Sequence, residues 1–332
     1  MKRFRRALIA GTAAVLAAAG LTAIAAAPSS AAVTYTVVTE PTDGYTPIYN
    51  LINSATTSID MTMYELTDTT AEQDLINAVK RGVTVRVILD QNLEKSHNTT
   101  AYNTLTAGGV QVHWAWTTYA ATHQKTITID HATTAIMSGN LTSQYYSTSR
   151  DFAIIENNSY DVNAIEKVFN ADFADAAITP TDGYHLVWSP TDSQTQILPI
   201  INNATKSLSV ENEEMAYPTV TTALEDAAKR GVNVEVTMTN DYNDYATEFD
   251  ALTAAGVHVH TYAYTASLYI HAKAIVADYG TSAAVVDVGS QNFSNASWNK
   301  NRELGFITTS SAVISSINST LAADYAGGTA WT

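Results

Sequence analysis

The chain has 332 residues, of which 46% are hydrophobic and 15% are charged, and its formal net charge is −15. This composition is typical of a globular protein of about two domains and excludes collagen-like, disordered and coiled-coil classes. The chain has no cysteine, which excludes disulfide scaffolds, thiolate metal sites and cysteine nucleophiles.

Residues 1–32 have the pattern of a secretory signal peptide. A basic segment at 2–6 precedes an Ala-rich apolar stretch at 7–27, and small residues at 30–32 suit cleavage after Ala32. The alternative is an N-terminal membrane anchor, because the apolar stretch is long enough to span a bilayer, although alanine inserts poorly. We therefore expect a secreted, extracellular protein whose mature chain begins near Val33.

The mature chain would be strongly acidic. Residues 1–32 hold four of the 17 basic residues and none of the acidic ones, which leaves 13 basic and 32 acidic residues and a net charge of −19. Such a charge repels the phosphate backbone of nucleic acids at long range. We therefore expect no stable nucleic-acid partner.

An internal repeat organises the rest of the chain. The segment AVKRGVTV at 78–85 aligns with AAKRGVNV at 227–234 at an offset of 149 residues, and the same offset carries Pro41 onto Pro190. Repeated units of this kind indicate duplicated structural modules. We predict two homologous halves, 33–177 and 186–328, joined by a linker at 178–185 in which Pro180 and Gly183 interrupt both periodicities.

Each half is predicted to alternate helices and strands. Apolar residues at helical spacing predict helices at 70–80 and 219–230, each followed by a glycine that suits a helix C-terminus. β-branched runs predict buried strands at 83–89 and 232–238, and later strands at 125–129 and 273–277. This alternation predicts an α/β sheet in each half.

The same set of polar residues recurs late in each half. An HxKxxxxD motif is followed by a small polar turn that ends in Asn, and then by an acid. In the first half these residues are His123, Lys125, Asp130, Ser138, Asn140 and Asp151. In the second half they are His271, Lys273, Asp278, Ser290, Asn292 and Glu303.

The spacing of these residues favours a shared anion site. Residues two apart on a strand share a face, so the His and Lys of each motif are predicted to point into one cleft, as are the Ser and Asn. The Asp is seven residues after its His. An odd separation on a continuing strand points the Asp away from the cleft, which predicts a supporting role. Converging donors suit a tetrahedral phosphate, and two imidazoles can divide the work of nucleophile and general acid.

A single HxK pair is usually a surface feature, but a duplicated core has little reason to retain the whole polar set twice. The pattern resembles the phospholipase D superfamily, whose signature is two HxKxxxxD motifs, each followed by Gly-Ser-x-Asn. Met137 stands where that signature often has glycine. The resemblance implies two α/β sandwich lobes that share one active site about a pseudo-twofold axis. It also implies a phosphohistidine intermediate and no metal or cofactor.

The resemblance also implies a role for each residue. His123 and His271 would be the nucleophile and the acid, with His123 as the expected nucleophile, and Asp151 and Glu303 would orient the imidazoles. The catalytic residues would also include Lys125, Lys273, Asp130 and Asp278. The phosphate ligands would be Asn140, Asn292, Ser138 and Ser290.

The expected function is that of a secreted, monomeric phosphodiesterase. It would hydrolyse or transfer phospholipid head groups at a membrane or micelle surface. A secreted, metal-independent nuclease of the same superfamily is one alternative, and a non-catalytic lipid- or phosphate-binding relative is another. The acidic patch Glu211, Glu213 and Glu214 is expected at a solvated loop end unless it faces the cleft, where it would favour a cationic head group. The remaining histidines, such as His97 and His131, show no metal-ligand spacing.

Overall fold

The computed structural model describes residues 32–332. It contains two mixed sheets, and each sheet is built mainly from one half of the repeat. The predicted signal peptide lies outside the described residues, apart from Ala32. Within 32–332, no helix has the length and apolarity needed to cross a membrane. The two α/β sheets confirm the predicted fold class.

In the first half, seven strands form a sheet in the order β1-β7-β6-β5-β2-β3-β4. The strands are β1 Tyr35–Glu40, β2 Ser58–Met63, β3 Thr84–Leu89, β4 Gln111–Trp114, β5 Thr126–Ile129, β6 Thr133–Met137 and β7 Ser149–Glu156. The helices are α1 Thr46–Ser54, α2 Thr69–Lys80, α3 Lys95–Ala107 and α4 Ser159–Phe173, with a 3-10 turn at Ser143–Tyr145. Residues 178–185 form an irregular connection to the second half.

The second half repeats this arrangement, with strand order β16-β11-β10-β9-β13-β14-β15-β8. The strands are β8 Leu186–Ser189, β9 Ser207–Glu211, β10 Asn233–Asn240, β11 His258–Ala263, β12 Tyr269–Ile270, β13 Ala274–Ala277, β14 Val285–Gly289, β15 Glu303–Thr308 and β16 Thr329–Ala330. The helices are α5 Ser193–Asn203, α6 Pro218–Lys229, α7 Ala246–Ala254, α8 Asn295–Asn299 and α9 Ser311–Gly327. Strand β12 leaves its own half and pairs with β7 of the first sheet.

The predicted helices and strands are present within one or two residues of their expected ends. Helix α2 begins after Asp68, whose carboxylate accepts hydrogen bonds from the N–H groups of Thr70 and Ala71. Helices α2 and α6 are each followed by a glycine, Gly82 with φ +92° and Gly231 with φ +89°. Glycine is needed there because other residues adopt this left-handed conformation only at a cost.

The apolar residues form one large core in each half, a third core that joins the halves, and a small fourth cluster of Ile88, Ala115 and Phe169. The first two cores pack helices α1–α3 and α5–α7 against their own sheets. The third contains Phe152 of β7, Trp188 of β8 and Phe306 of β15, together with residues of α4 and α9. Burial of apolar surface is the main favourable term in folding. The shared core therefore holds the two sheets against each other.

Two buried arginines also connect the halves. Arg150 of β7 pairs with Asp324 of α9 through Nε–Oδ2 at 2.5 Å and Nη2–Oδ1 at 2.9 Å. Arg302, directly before β15, pairs with Asp172 of α4 through two bonds of 2.9 Å. Paired guanidinium–carboxylate bonds of this type fix orientation as well as distance. Each half thus contributes one arginine and one aspartate to the junction.

We predict that Arg302→Met destabilises the protein strongly. The substitution leaves Asp172 buried without its cation, and breaking a buried pair in this way costs about 3–5 kcal/mol. Urea unfolding of both proteins measures the loss. Lys229→Met is the control, because it removes an exposed contact with Glu225 that is worth at most about 1 kcal/mol. Equal, small losses in the two variants would contradict this account of the junction.

Candidate active site

A cavity of about 610 Å³ is lined by residues of both halves. His123 and Asn140 of the first half face it, and so do His271 and Asn292 of the second half. Four of the predicted site residues, far apart in sequence, therefore meet at one place.

The backbone of each histidine is anchored to a strand of the other half. The N–H groups of His123 and Gln124 both donate to the carbonyl of Arg302 at 2.9 Å. The N–H of His271 donates to the carbonyl of Arg150 at 3.2 Å, next to the pairing of β12 with β7. The carbonyl groups that hold the backbone of the two histidines thus belong to the same two arginines that join the halves.

The side chains follow the same crossed pattern. Nδ1 of His123 lies 2.7 Å from Glu303 Oε2, and Nδ1 of His271 lies 2.8 Å from Asp151 Oδ1. A carboxylate on Nδ1 fixes the tautomer and supports the imidazolium form, which leaves Nε2 as the nitrogen available to a ligand. Burial raises the pKa of each carboxyl group, but the neighbouring histidine, a lysine and the serine hydrogen bond together lower the pKa of Glu303 and of Asp151.

The two lysines lie buried beneath the histidines. Nζ of Lys125 donates to the carbonyl of His123 at 2.6 Å, and Nζ of Lys273 donates to the carbonyl of His271. Burial lowers the pKa of Lys125 to about 7. Neither lysine is among the residues that line the cavity, and an anion bound next to either one would favour its charged form.

The asparagines and serines of the motifs have different roles. Asn140 and Asn292 line the cavity, and the buried Oδ1 atom of each has no hydrogen-bond partner within residues 32–332. Ser138 Oγ instead donates to Asp151 at 2.6 Å, and Ser290 Oγ donates to Glu303 at 2.7 Å.

The structure places the two serines, which the resemblance implied as phosphate ligands, against the carboxylates of the site and not among the cavity-lining residues. Ser138 and Ser290 are fully buried and fix the carboxylates that orient the histidines. Ser138 Oγ also accepts a hydrogen bond from the N–H of Phe152 of β7. Its side chain consequently points at the neighbouring strand and not into the cavity.

Asp130 and Asp278 also lie outside the cavity lining. Asp130 accepts hydrogen bonds from the N–H groups of Thr56, Thr57 and Ser58. Asp278 does the same for residues 205–207. Partial burial opposes ionisation, but these bonds hold the pKa of both carboxyl groups below the usual range. These contacts fit the supporting role that the odd spacing predicts, and they place both aspartates away from the histidines with which the resemblance groups them.

The cavity wall contains residues that the sequence analysis did not assign to the site. Its tyrosines and carboxylates are Tyr45, Tyr64, Tyr145, Tyr146, Tyr264, Tyr269, Glu65, Glu213, Glu214 and Asp241. Of the predicted acidic patch, Glu213 and Glu214 face the cavity, whereas Glu211 is buried elsewhere. The internal repeat could have pointed to two of these residues, because Glu65 and Glu214 are equivalent carboxylates at the offset of 149 residues.

Within residues 32–332, two other groups of side chains could hold a metal ion. They are Asp60, His131 and Glu166, and Glu65, Glu94 and His97, with ligand atoms within 4.8 Å of one another in each group. Neither contains His123 or His271. In the first group Arg86 already binds both oxygens of Asp60 at 2.7 Å. The members of the first group lie on separate elements of the fold, so they show no metal-ligand spacing in the sequence.

Comparison with known proteins identifies the family. A family model described as cardiolipin synthase, phospholipase D-like domain, matches residues 48–173 and 197–325. The chain belongs to the phospholipase D-like family. Both repeats are matched, which confirms the resemblance on the HxKxxxxD motifs. No curated protein matches this chain.

Solved structures share the fold. Polyphosphate kinase from Porphyromonas gingivalis is 14% identical with a TM-score of 0.70, over 86% of this chain and 46% of the kinase. The chain therefore spans about half the length of that kinase. Phosphatidylserine synthase from Haemophilus influenzae Rd KW20 is 11% identical with a TM-score of 0.69, over 90% of this chain and 87% of the synthase.

We predict that Asp130→Asn lowers stability without changing the site. Loss of the charged acceptor should cost about 1–3 kcal/mol, measured by urea unfolding, while the NMR titration of His271 stays unchanged. Because the pKa of Asp130 is depressed in the folded state, its contribution is present above about pH 4 and is lost as the pH falls. Asp226→Asn, on the exposed side of α6, is the control and should change stability by less than about 0.5 kcal/mol. An altered titration of His271 would show that Asp130 acts on the site itself.

Proposed function

We propose that the protein hydrolyses or transfers phospholipid head groups through a phosphohistidine intermediate. The observation that supports this most is the pair of histidines at one cavity, each with a carboxylate on Nδ1. This arrangement equips both rings for proton transfer and for attack on phosphorus.

In the first step, Nε2 of His123 attacks phosphorus, and the bond from phosphorus to the head-group oxygen breaks. His271 enters the step as an imidazolium ion and gives its Nε2 proton to the leaving alkoxide, which departs as the alcohol. The product is a phosphatidyl group bonded to His123.

In the second step, His271 takes a proton from water or from another alcohol, and the resulting nucleophile attacks phosphorus. The bond to His123 breaks and regenerates the free ring. Charge that develops on the phosphoryl oxygens is stabilised by Lys125, Lys273, Asn140 and Asn292. Because these side chains supply the stabilisation, we expect turnover to need no divalent metal.

The cavity wall favours a lipid over a nucleic acid. Glu65, Glu214 and Asp241 place negative charge in the wall of the same cavity as the histidines, which attracts a cationic head group and repels a polyanion. Tyrosine rings such as Tyr269 and Tyr264 add faces that attract an ammonium group. We also propose that the mature protein is secreted and acts as a monomer on a membrane or micelle surface.

A substrate panel tests the proposal. The mature chain is incubated with short-chain phosphatidylcholine, short-chain phosphatidylethanolamine and single-stranded DNA, each with EDTA present. We expect release of choline or ethanolamine and no cleavage of DNA. Cleavage of DNA alone would favour the nuclease, and binding without turnover would favour the non-catalytic alternative. The lipids are used as soluble monomers because calcium can alter lipid surfaces independently of the enzyme.

Trapping of the intermediate tests the mechanism. The enzyme is quenched during turnover of a phosphate-labelled phospholipid, and the acid-labile label is mapped by peptide. We expect label on His123, and we expect both His123→Ala and His271→Ala to lose turnover. Label on His271 would reverse the assignment. Full turnover with no label on either ring would indicate direct attack by water.

A further inference from the structure

One pair of equivalent residues in the cavity wall differs in charge between the two halves. At the offset of 149 residues, Tyr64 of the first half is equivalent to Glu213 of the second half. Each residue follows the matching strand, β2 or β9, and each lines the cavity. The His, Lys, Asp, Ser and Asn of the two motifs have identical partners, and Asp151 and Glu303 are both carboxylates, whereas Met137 is equivalent to Gly289.

Tyr64 gives the first histidine a neutral neighbour. Its ring lies 4.9 Å from Nζ of Lys125, and its centroid lies 4.6 Å from that of His123. Burial lowers the pKa of His123, although Glu303 opposes the shift. These surroundings favour an uncharged ring with a free lone pair.

Glu213 gives the second histidine a charged neighbour. Its Oε2 atom lies 3.0 Å from Nζ of Lys273, 3.2 Å from Nδ2 of Asn292 and 3.4 Å from Nε2 of His271. These three groups are the second-half ligands for phosphate in the proposed function. A carboxylate oxygen therefore sits where a phosphoryl oxygen would bind.

The contact also places a carboxylate at both nitrogens of His271. Asp151 lies at Nδ1 and Glu213 lies at Nε2. Only the imidazolium form can donate to both. Glu65 also attracts the imidazolium form of His271, whereas Lys273 and His123 share the negative charge of Glu213.

Resting on the function proposed above, we propose that Glu213 occupies the phosphate subsite of the free enzyme and holds His271 in the protonated form. The two histidines are thereby unequal before substrate arrives, with His271 as the acid and His123 as the nucleophile. A phosphodiester must displace the Glu213 carboxylate from Lys273 and Asn292. Glu213 is then a positioning residue for the acid and a competitor for anions.

The test is Glu213→Gln in the mature chain, with two measurements that need no turnover. The pKa of His271 is measured by NMR titration, and the affinity for inorganic phosphate by calorimetry. We expect the pKa of His271 to fall by about one unit or more, since an opposite charge nearby shifts a pKa by about 1–3 units. We expect the affinity for phosphate to rise about tenfold or more, because the competing charge is gone.

Glu65→Gln is the matched control. It removes one charge from the same cavity, whereas only Glu213 lies against Nε2 of His271, so both changes should be clearly smaller. Glu213→Ala should shift both quantities in the same direction as Glu213→Gln. An unchanged pKa of His271, an unchanged or weaker affinity for phosphate, or equal effects of Glu65→Gln would each overturn the inference.

The outcome is separable from the proposed function. If the variant shows both shifts and the parent protein turns over no phosphodiester, the inference about Glu213 stands and the enzyme proposal fails. If the parent protein turns over phospholipid and neither shift occurs, only the inference fails. With turnover, the alkaline limb of the kcat/KM profile should also move to lower pH in Glu213→Gln.

Discussion

Each histidine of the site depends on a carboxylate from the opposite half of the chain. Glu303 of β15 binds Nδ1 of His123, and Asp151 of β7 binds Nδ1 of His271. Neither half contains a complete pair, so the site exists only where the two sheets pack together. The shared apolar core and the crossed arginine pairs are therefore part of the chemistry, because they set the distance between each ring and its carboxylate.

A duplicated site raises a problem of symmetry, because a two-step transfer needs one neutral ring and one charged ring at the same moment. Two identical halves would give both rings the same pKa. The chain differs between its halves at Tyr64 and Glu213, which lie against His123 and His271 respectively. Local electrostatics can thus assign different roles to residues that the motif treats alike.

The sequence predicts much of this arrangement, but it does not predict that the carboxylate of each half binds the histidine of the other half. Hydrophobic periodicity predicts α2 and α6, and the odd spacing of Asp130 from His123 correctly separates it from the cavity. The rule that residues two apart share a face holds only within a strand. Strand β6 ends at Met137, and the side chain of Ser138 contacts Asp151 of β7. No pattern in one half shows that its carboxylate serves the other half, because that depends on how the sheets pack.

A crystal structure of the mature protein with bound tungstate tests the shared site most directly. Tungstate is a tetrahedral anion that resembles phosphate in shape and charge. The account predicts one ion in the cavity, contacted by Nε2 of both His123 and His271 and by side chains of both halves. Two separate ions, or one ion contacted by the residues of a single half, would contradict the shared site.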